Sequence, residues 1–465
     1  MMGTGAQSGT FFITDLYRIV IMSLYPFVKG LTFAEVPEHT RYLVSTALLD
    51  ILGVAAGAQK NNTTECIKNY ALAHYLPSRL SSRLLFDGRP AHPLGSAWVG
   101  GFTIDSLDAH EGHFTSKGHA GATVVPALLA LVDACRDQGR TISGAEFLAA
   151  LTVAYETGLR AGVALMDTAA EYHASGAFSG IGVVCGGARL LGLDEEQFLH
   201  ALGIAEYFGP RCPMMRLVDF PSMLRDAHGA GAYAGLNALL MAQAGITGAP
   251  AETVEMERVR HCWQDLGSHW EIDAQYFKPW PVCRWAQPAL TAATALLAAH
   301  PEINSDAIEQ VRVETFHESV RLQGHFPANA DEAQYGLAFP LAALLSRGQV
   351  GPNEVTGDAI HAEDILAVSR RIDIVEAEGL SARFPREILS RVSIRLKDGK
   401  HFASPITAAK GDPDTAMTQA EFRAKFVQLA SVNFSQERIE SIISAVDQLE
   451  QAGDCGALLD QVLNP

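Results

Sequence analysis

The sequence predicts a mainly α-helical protein in which a smaller α+β domain interrupts a larger helical one, and three observations predict it. From about Thr40 to Gly248 apolar residues recur at helical spacing in a background of Ala, Leu and Gly, with few strand signals. After roughly Ala274 aromatics, prolines and alternating apolar and polar residues take over. Beyond Thr418 the amphipathic helical pattern returns. The implied boundaries are 1–273 for the first helical part, 274–410 for the mixed domain and 411–465 for a C-terminal part that rejoins the helices.

The first ten residues, rich in Gly and Ser, are expected to be frayed. Tyr42, Leu43, Thr46, Leu48, Leu49, Ile51 and Leu52 then mark a buried helix, and Val125–Cys135 and Gly144–Leu165 mark two more. The last of these opens behind Thr141 and Ser143, both suitable N-caps. A helix of small residues just behind His173 runs to Leu191. In the mixed domain, Pro288–Ala299 reads as a helix, while Ile308–Thr315 and Ile388–Leu396 read as half-buried strands. Asp398-Gly399 supplies a hairpin turn toward Phe402–Ile406. Glu421, Phe422, Lys425, Phe426 and Leu429, followed by Ile439, Ile442, Ile443, Val446 and Leu449, close the chain as helices.

The chain has 465 residues, 48% of them hydrophobic and 19% charged, a composition that folds rather than one that stays disordered. Its formal charge of −17 repels phosphate backbones and anionic lipid, so neither nucleic acid nor a membrane surface is an expected partner. No uninterrupted apolar run reaches the roughly 18 residues of a membrane span, and no secretory signal is read at the start. The seven cysteines are scattered, odd in number and free of Cys-x-x-Cys pairs. A reducing compartment, the cytoplasm, is the expected location.

Three polar clusters carry the chemistry. The densest is Asp105-Ser-Leu-Asp-Ala-His-Glu-Gly-His-Phe-Thr-Ser-Lys-Gly-His119, with three acids, three histidines and a lysine in an apolar neighbourhood. It can be read as a solvated surface loop, as a metal site or as a general acid–base cluster. His110 and His113 lie three apart rather than four, which is not the spacing of the zinc helix, and neighbouring glycines weaken a helix there. The acid–base reading places a carboxylate beside a histidine on a loop that substrate can approach. The second cluster is His173, just ahead of the small-residue helix, where a core histidine and a site histidine are both possible readings. The third is Lys278-Pro-Trp-Pro-Val-Cys-Arg-Trp285, which presents Lys278 and Arg284 among aromatics; Arg225 adds another cation before a second small-residue helix. In an acidic protein such places are where an anion binds. The glycine patterns at Gly180–Gly186 and Gly229–Gly235 follow no strand, so they are not dinucleotide loops, and Ser179 lacks the glycine before a hydrolase nucleophile.

Taken in order, these segments resemble the MmgE/PrpD family of 2-methylcitrate dehydratases, cis-aconitate decarboxylases and iminodisuccinate epimerases. The resemblance runs from about Leu48 to Leu449. It is carried by Leu49–Gly57, the 105–119 loop followed by Val125-Pro126, Tyr155–Arg160, His173 with the helix ending at Leu193, Arg225–Gly235, Ala244–Gly248 and Lys278–Leu290. It implies a large helical domain made from both ends of the chain, an inserted lid domain, an active site in the cleft between them, a homodimer, and neither metal nor other cofactor. It also implies catalytic roles for Asp108, His119, His173 and Lys278. Arg225, Arg284, Lys117 and Tyr335 are then the residues expected to bind substrate. Two departures point away from the best-known substrates. Family members that dehydrate or decarboxylate tricarboxylates follow the first aspartate with Phe-Asp-Asp-Thr, where this chain has Ala109-His110-Glu111-Gly112. Their lysine in the helical domain is Arg225 here, which keeps the charge and cannot act as a base.

The chemistry implied is proton removal or delivery at a carbon next to a carboxylate, through an enolate-like intermediate that cations must stabilise. Asp108 is expected to orient His119, with His119 and His173 on opposite sides of the carbon. The leading expectation is a dehydratase of a 2-methylcitrate-like hydroxy-polycarboxylate, with a small di- or tricarboxylate as the partner. An epimerase, isomerase or decarboxylase is the alternative, and a family member that binds carboxylate without catalysis is a third.

Overall fold

The computed structural model describes residues 18–465, with side chains from residue 23 onward. The Gly- and Ser-rich start, Met1–Thr10, lies outside the described residues.

Helices dominate the first part of the chain. In the helix Glu38–Gly57 nearly every side chain from Leu43 on is buried, and Gly121–Cys135 of the helix Gly121–Asp137 is buried throughout. Such all-round burial is what a helix without a polar face requires. The helix Gly144–Thr168 starts where the capping residue predicts, with Ser143 Oγ accepting from the Glu146 amide at 3.2 Å. It packs closely on the helix Gly176–Leu191, because a Cβ at Gly182 would stand 2.2 Å from the Ala154 carbonyl oxygen.

The C-terminal helices return to this bundle. Thr418 and Glu421 form a capping box that opens the helix Gln419–Ala430. Phe426 of that helix fills the space left by Gly53, and Asn433 Nδ2 donates to the Ala56 carbonyl at 2.9 Å. Lys425 pairs with buried Asp50 at 2.5 Å and also donates to the Ala109 carbonyl at 2.7 Å, so the end of the chain props up the 105–119 loop.

Between these helical parts lies a mixed sheet in the order Ile372–Glu376, Ile308–Thr315, Leu389–Leu396, His401–Ala403. The first pair is parallel and the others antiparallel, and Thr407–Ala408 also pairs with Leu389–Leu396. A register shift between Ile308 and Gln310 explains why Ile308 and Val311 are both buried although three residues apart. The hairpin turn falls at Gly399, with a φ of 87°. The strand after it is shorter than its sequence suggests, ending at Ala403 ahead of Pro405. The helices Gln287–Ala299 and Ala338–Arg347 pack on each other and on this sheet.

The two textures meet at a two-residue antiparallel pairing of Gly112–His113 with Gln275–Tyr276. Phe277 N–H donates to the Gly411 carbonyl at 2.9 Å, and Cys283 N–H to that of Gln334 at 2.9 Å. The 105–119 loop, the 275–285 segment and the short helix Ala330–Gln334 therefore converge on one place.

Candidate active site

The 105–119 loop is not a solvated one. Asp105, Asp108, His110, Glu111, His113 and His119 are all buried, and only the Phe114–Lys117 turn reaches the surface. Some of these buried polar groups are paired, while both ring nitrogens of His110 and Oδ1 of Asp105 have no hydrogen-bond partner among the described residues. Glu111 Oε1 accepts from the Gly121 amide at 2.7 Å and so caps the helix Gly121–Asp137 from outside. Burial pushes its carboxyl up to about 7, against the pull of that amide. His113 Nδ1 accepts from the Ser116 amide at 3.1 Å, and Nε2 faces Glu271 at 3.1 Å.

His119 is fixed by its backbone neighbours. Its Nδ1–H donates to the Glu111 carbonyl, and its own amide donates to Ser175 Oγ at 2.9 Å. The carbonyl can only accept, so the proton of the neutral ring sits on Nδ1 and the lone pair on Nε2. Burial, then Lys278 nearby, holds the imidazole down to about 3, so it is neutral at neutral pH. Its Nε2 lies 3.8 Å from Asp226. Asp226 is gripped by the Ser175 hydroxyl at 2.5 Å and the Ser175 amide at 2.9 Å, and burial outweighs those bonds to raise it to about 6.

A cavity of about 470 Å³ opens beside this loop, lined among others by Asp108, Lys117, His119, Tyr276, Lys278, Arg284 and Tyr335. Lys278 Nζ donates to Asp108 Oδ1, and both residues are buried. Asp108 is therefore placed on Lys278 rather than on His119, and the expected orienting role falls instead to the Glu111 carbonyl. Arg284 reaches Asp412 and stacks 4.4 Å over the Tyr276 ring. Lys117 sits exposed at the edge, its ammonium 6.0 Å from the Tyr172 ring, while the Tyr172 hydroxyl donates to its carbonyl.

Two expected site residues are not on this lining. Arg225 is buried against Asp331 at 2.7 Å and donates to Gln334 Oε1 at 3.0 Å, so its charge is already matched inside the protein. His173 is half-buried and bridges Pro213 through the backbone. Tyr172 faces the cavity, and the next side chain along an extended segment points the other way.

Several contributors carried no readable signal. Gln334 accepts from the Asp108 amide at 2.9 Å as well as from Arg225, and its own amide donates to the Ser106 carbonyl at 3.3 Å. It ties the mixed part to the 105–119 loop, yet in sequence it is one polar residue beside Tyr335. The departure at Gly112 has a steric cause: a Cβ there would stand 2.3 Å from Tyr276 Oη and 2.8 Å from His119 Nδ1. A threonine does not fit where the Tyr276 phenol lies. Neither the Tyr276 nor the Tyr335 hydroxyl has a hydrogen-bond partner among the described residues, and burial raises both phenols.

Behind His119 its ring meets that of His110 at 4.5 Å, and His110 meets His228 at 5.1 Å. Asp105, His110 and His228 each offer a ligand atom within 4.8 Å of the others, as do Asp167, His261 and Cys262 nearer the surface. Burial holds both of these imidazoles well below the usual histidine range. Of the three histidines in the 105–119 loop, His113 and His119 are committed to protein partners.

Glu111 gives a pH test of this packing. Its carboxyl moves from an ordinary 4.5 to about 7 on folding, so the folded state binds that proton more tightly than the unfolded chain. Its contribution to stability is full below about pH 4.5 and is lost as pH rises through about 7. Glu111→Gln keeps an acceptor for the Gly121 amide and is expected to flatten the fall in urea midpoint between those values. A profile parallel to wild type would contradict it.

The fold is that of a mainly α-helical protein with buried histidines and carboxylates beside a cavity, and comparison with known proteins shows its family. The MmgE/PrpD N-terminal domain matches residues 23–265 and the MmgE/PrpD C-terminal domain residues 280–451. The chain belongs to the MmgE/PrpD family. Similar proteins include the cis-aconitate decarboxylase-like protein oryM of Aspergillus oryzae, 23% identical over 95% of this chain and 96% of that protein. Mouse cis-aconitate decarboxylase is 24% identical over 97% and 94%, and the human protein 23% over 94% and 93%.

Proposed function

We propose that the chain is a cofactor-independent lyase that removes a proton from the carbon next to a carboxylate of a small hydroxy-di- or tricarboxylate and expels hydroxide, a dehydratase of the 2-methylcitrate-like kind. The observation that carries this reading is His119, a neutral imidazole on the cavity lining near Lys278, whose Nε2 keeps its lone pair 3.8 Å from Asp226. A carboxylate entering there raises the affinity of that nitrogen for a proton. As the C–H bond breaks, charge accumulates on the substrate carboxylate, where Lys278 and Arg284 oppose it. The departing hydroxide takes a proton from a phenol, and Tyr276 and Tyr335 are kept protonated for that purpose by burial.

Decarboxylation is the second reading, supported by the cis-aconitate decarboxylases among the similar proteins. It needs an acid to protonate the carbanion, and the Tyr276 and Tyr335 phenols assigned to the departing hydroxide serve there equally, so product analysis decides between the two. Epimerisation between opposed histidines is disfavoured because His173 is off the cavity. Incubation in deuterium oxide with hydroxy-di- and tricarboxylates, with and without chelator and followed by proton NMR, tests the proposal. Alkene signals with loss of water are expected. Loss of carbon dioxide supports the second reading, a stereoisomer alone supports an epimerase, and thermal stabilisation without exchange supports a carboxylate binder.

We also place the protein in a reducing compartment, as its seven unpaired thiols favour. A homodimer is proposed as its working form. Tyr207, Phe208, Phe220 and Leu224 expose large apolar side chains that a second copy would cover. Light scattering is expected to give twice the monomer mass, and a monomer at micromolar concentration would remove the dimer from the proposal.

A further inference from the structure

Resting on the carboxylate reading above, we infer that the substrate carries a sizeable alkyl or aryl arm and no more than two carboxylates. The cavity, at about 470 Å³, is on the scale that encloses drug-sized ligands, roughly 300–1,000 Å³. A compact tricarboxylate leaves much of it as water.

The wall of the cavity gives that water little to bind. Met166 ends one long helix, Met214, Met215 and Val218 come from the short helix Met214–Asp219, and Trp285 and Phe384 come from the mixed part. Apolar surface of this kind gains free energy only when a ligand covers it, and thioethers adapt their shape to an irregular arm. Nothing in the chemistry at His119 or Lys278 needs such a wall.

Charge points the same way. Lys278 and Arg284 are already matched by Asp108 and Asp412, and Arg225 is matched by Asp331 away from the lining. The lining cations with no ion-pair partner among the described residues are Lys117 and Arg386. Glu318 lies on the same lining and opposes any additional carboxylate, whereas Asp167 there is bonded to His261 at 2.7 Å. The carboxylate next to the breaking C–H bond takes Lys278 from Asp108, a second is left Lys117 and Arg386, and Glu318 opposes a third.

Isothermal titration of the wild-type protein with succinate, methylsuccinate, butylsuccinate, benzylsuccinate, citrate and cis-aconitate tests this. Affinity is expected to rise about fourfold for each methylene covered, with benzylsuccinate well above succinate and both tricarboxylates at the weak end. Met215→Ser is expected to reduce the slope of the alkyl series, and an unchanged slope would take the wall out of recognition. A flat series, or citrate or cis-aconitate binding more tightly than butylsuccinate, would overturn the inference while leaving the carboxylate reading intact. If no probe bound, both would fall together.

Discussion

Replacing His119 with Gln is expected to remove roughly two to four decades of turnover while leaving the protein folded. The amide of glutamine can still donate to the Glu111 carbonyl, so the link that holds the side chain in place survives. What disappears is the basic lone pair at Nε2. The loss should fall on kcat, because the wild-type ring makes no charge pair that would hold the ground state. Deuterium exchange at the carbon next to the carboxylate should vanish in parallel with product. If exchange continued at the wild-type rate while product was lost, His119 would act after proton removal and the base would be another group. The near-ultraviolet circular dichroism of the variant should overlay that of wild type, since the ring it replaces is held by backbone groups of a loop with its own anchors at Gly121, Ser116 and Lys425.

The sequence discloses this site unevenly, and the reason differs from residue to residue. Helices with one dominant periodicity are legible: Ser143 opens its helix as a capping residue should, and Thr418 with Glu421 opens another. The strands Ile308–Thr315 and Leu389–Leu396 are legible from alternation, whereas Ile372–Glu376, their parallel neighbour's extension of the sheet, is too short to announce itself. Asp108, His119 and Lys278 stand out because polar residues in apolar surroundings are costly and need a cause. Their partnerships do not stand out. Which carboxylate meets which cation depends on contacts across 170 residues between Asp108 and Lys278 and 106 between Arg225 and Asp331, and no local pattern encodes them. Arg225 reads as a free cation until Asp331 is beside it. Gly112 reads as a lost threonine until Tyr276 is found in the space.

Lys278→Met is expected to damage stability and activity together, and a second substitution should separate them. Alone, it leaves the Asp108 carboxylate buried without its cation, which costs about 3–5 kcal/mol in comparable buried pairs. The deficit of Lys278→Met relative to wild type is read from urea midpoints at neutral pH. Adding Asp108→Leu removes the stranded charge and should restore most of the midpoint at neutral pH, because a buried ion pair replaced by apolar side chains is often neutral in stability. It should restore no turnover, because the reaction needs positive charge where the enolate forms and a leucine beside a methionine supplies none. A double variant that regained both would mean that Lys278 only balances Asp108, and that the cation serving the substrate is Arg284. The resting pair itself argues for the catalytic role: Asp108 occupies the ammonium until a substrate carboxylate competes for it, so the charge is held in place beforehand and needs no reorganisation when the proton leaves.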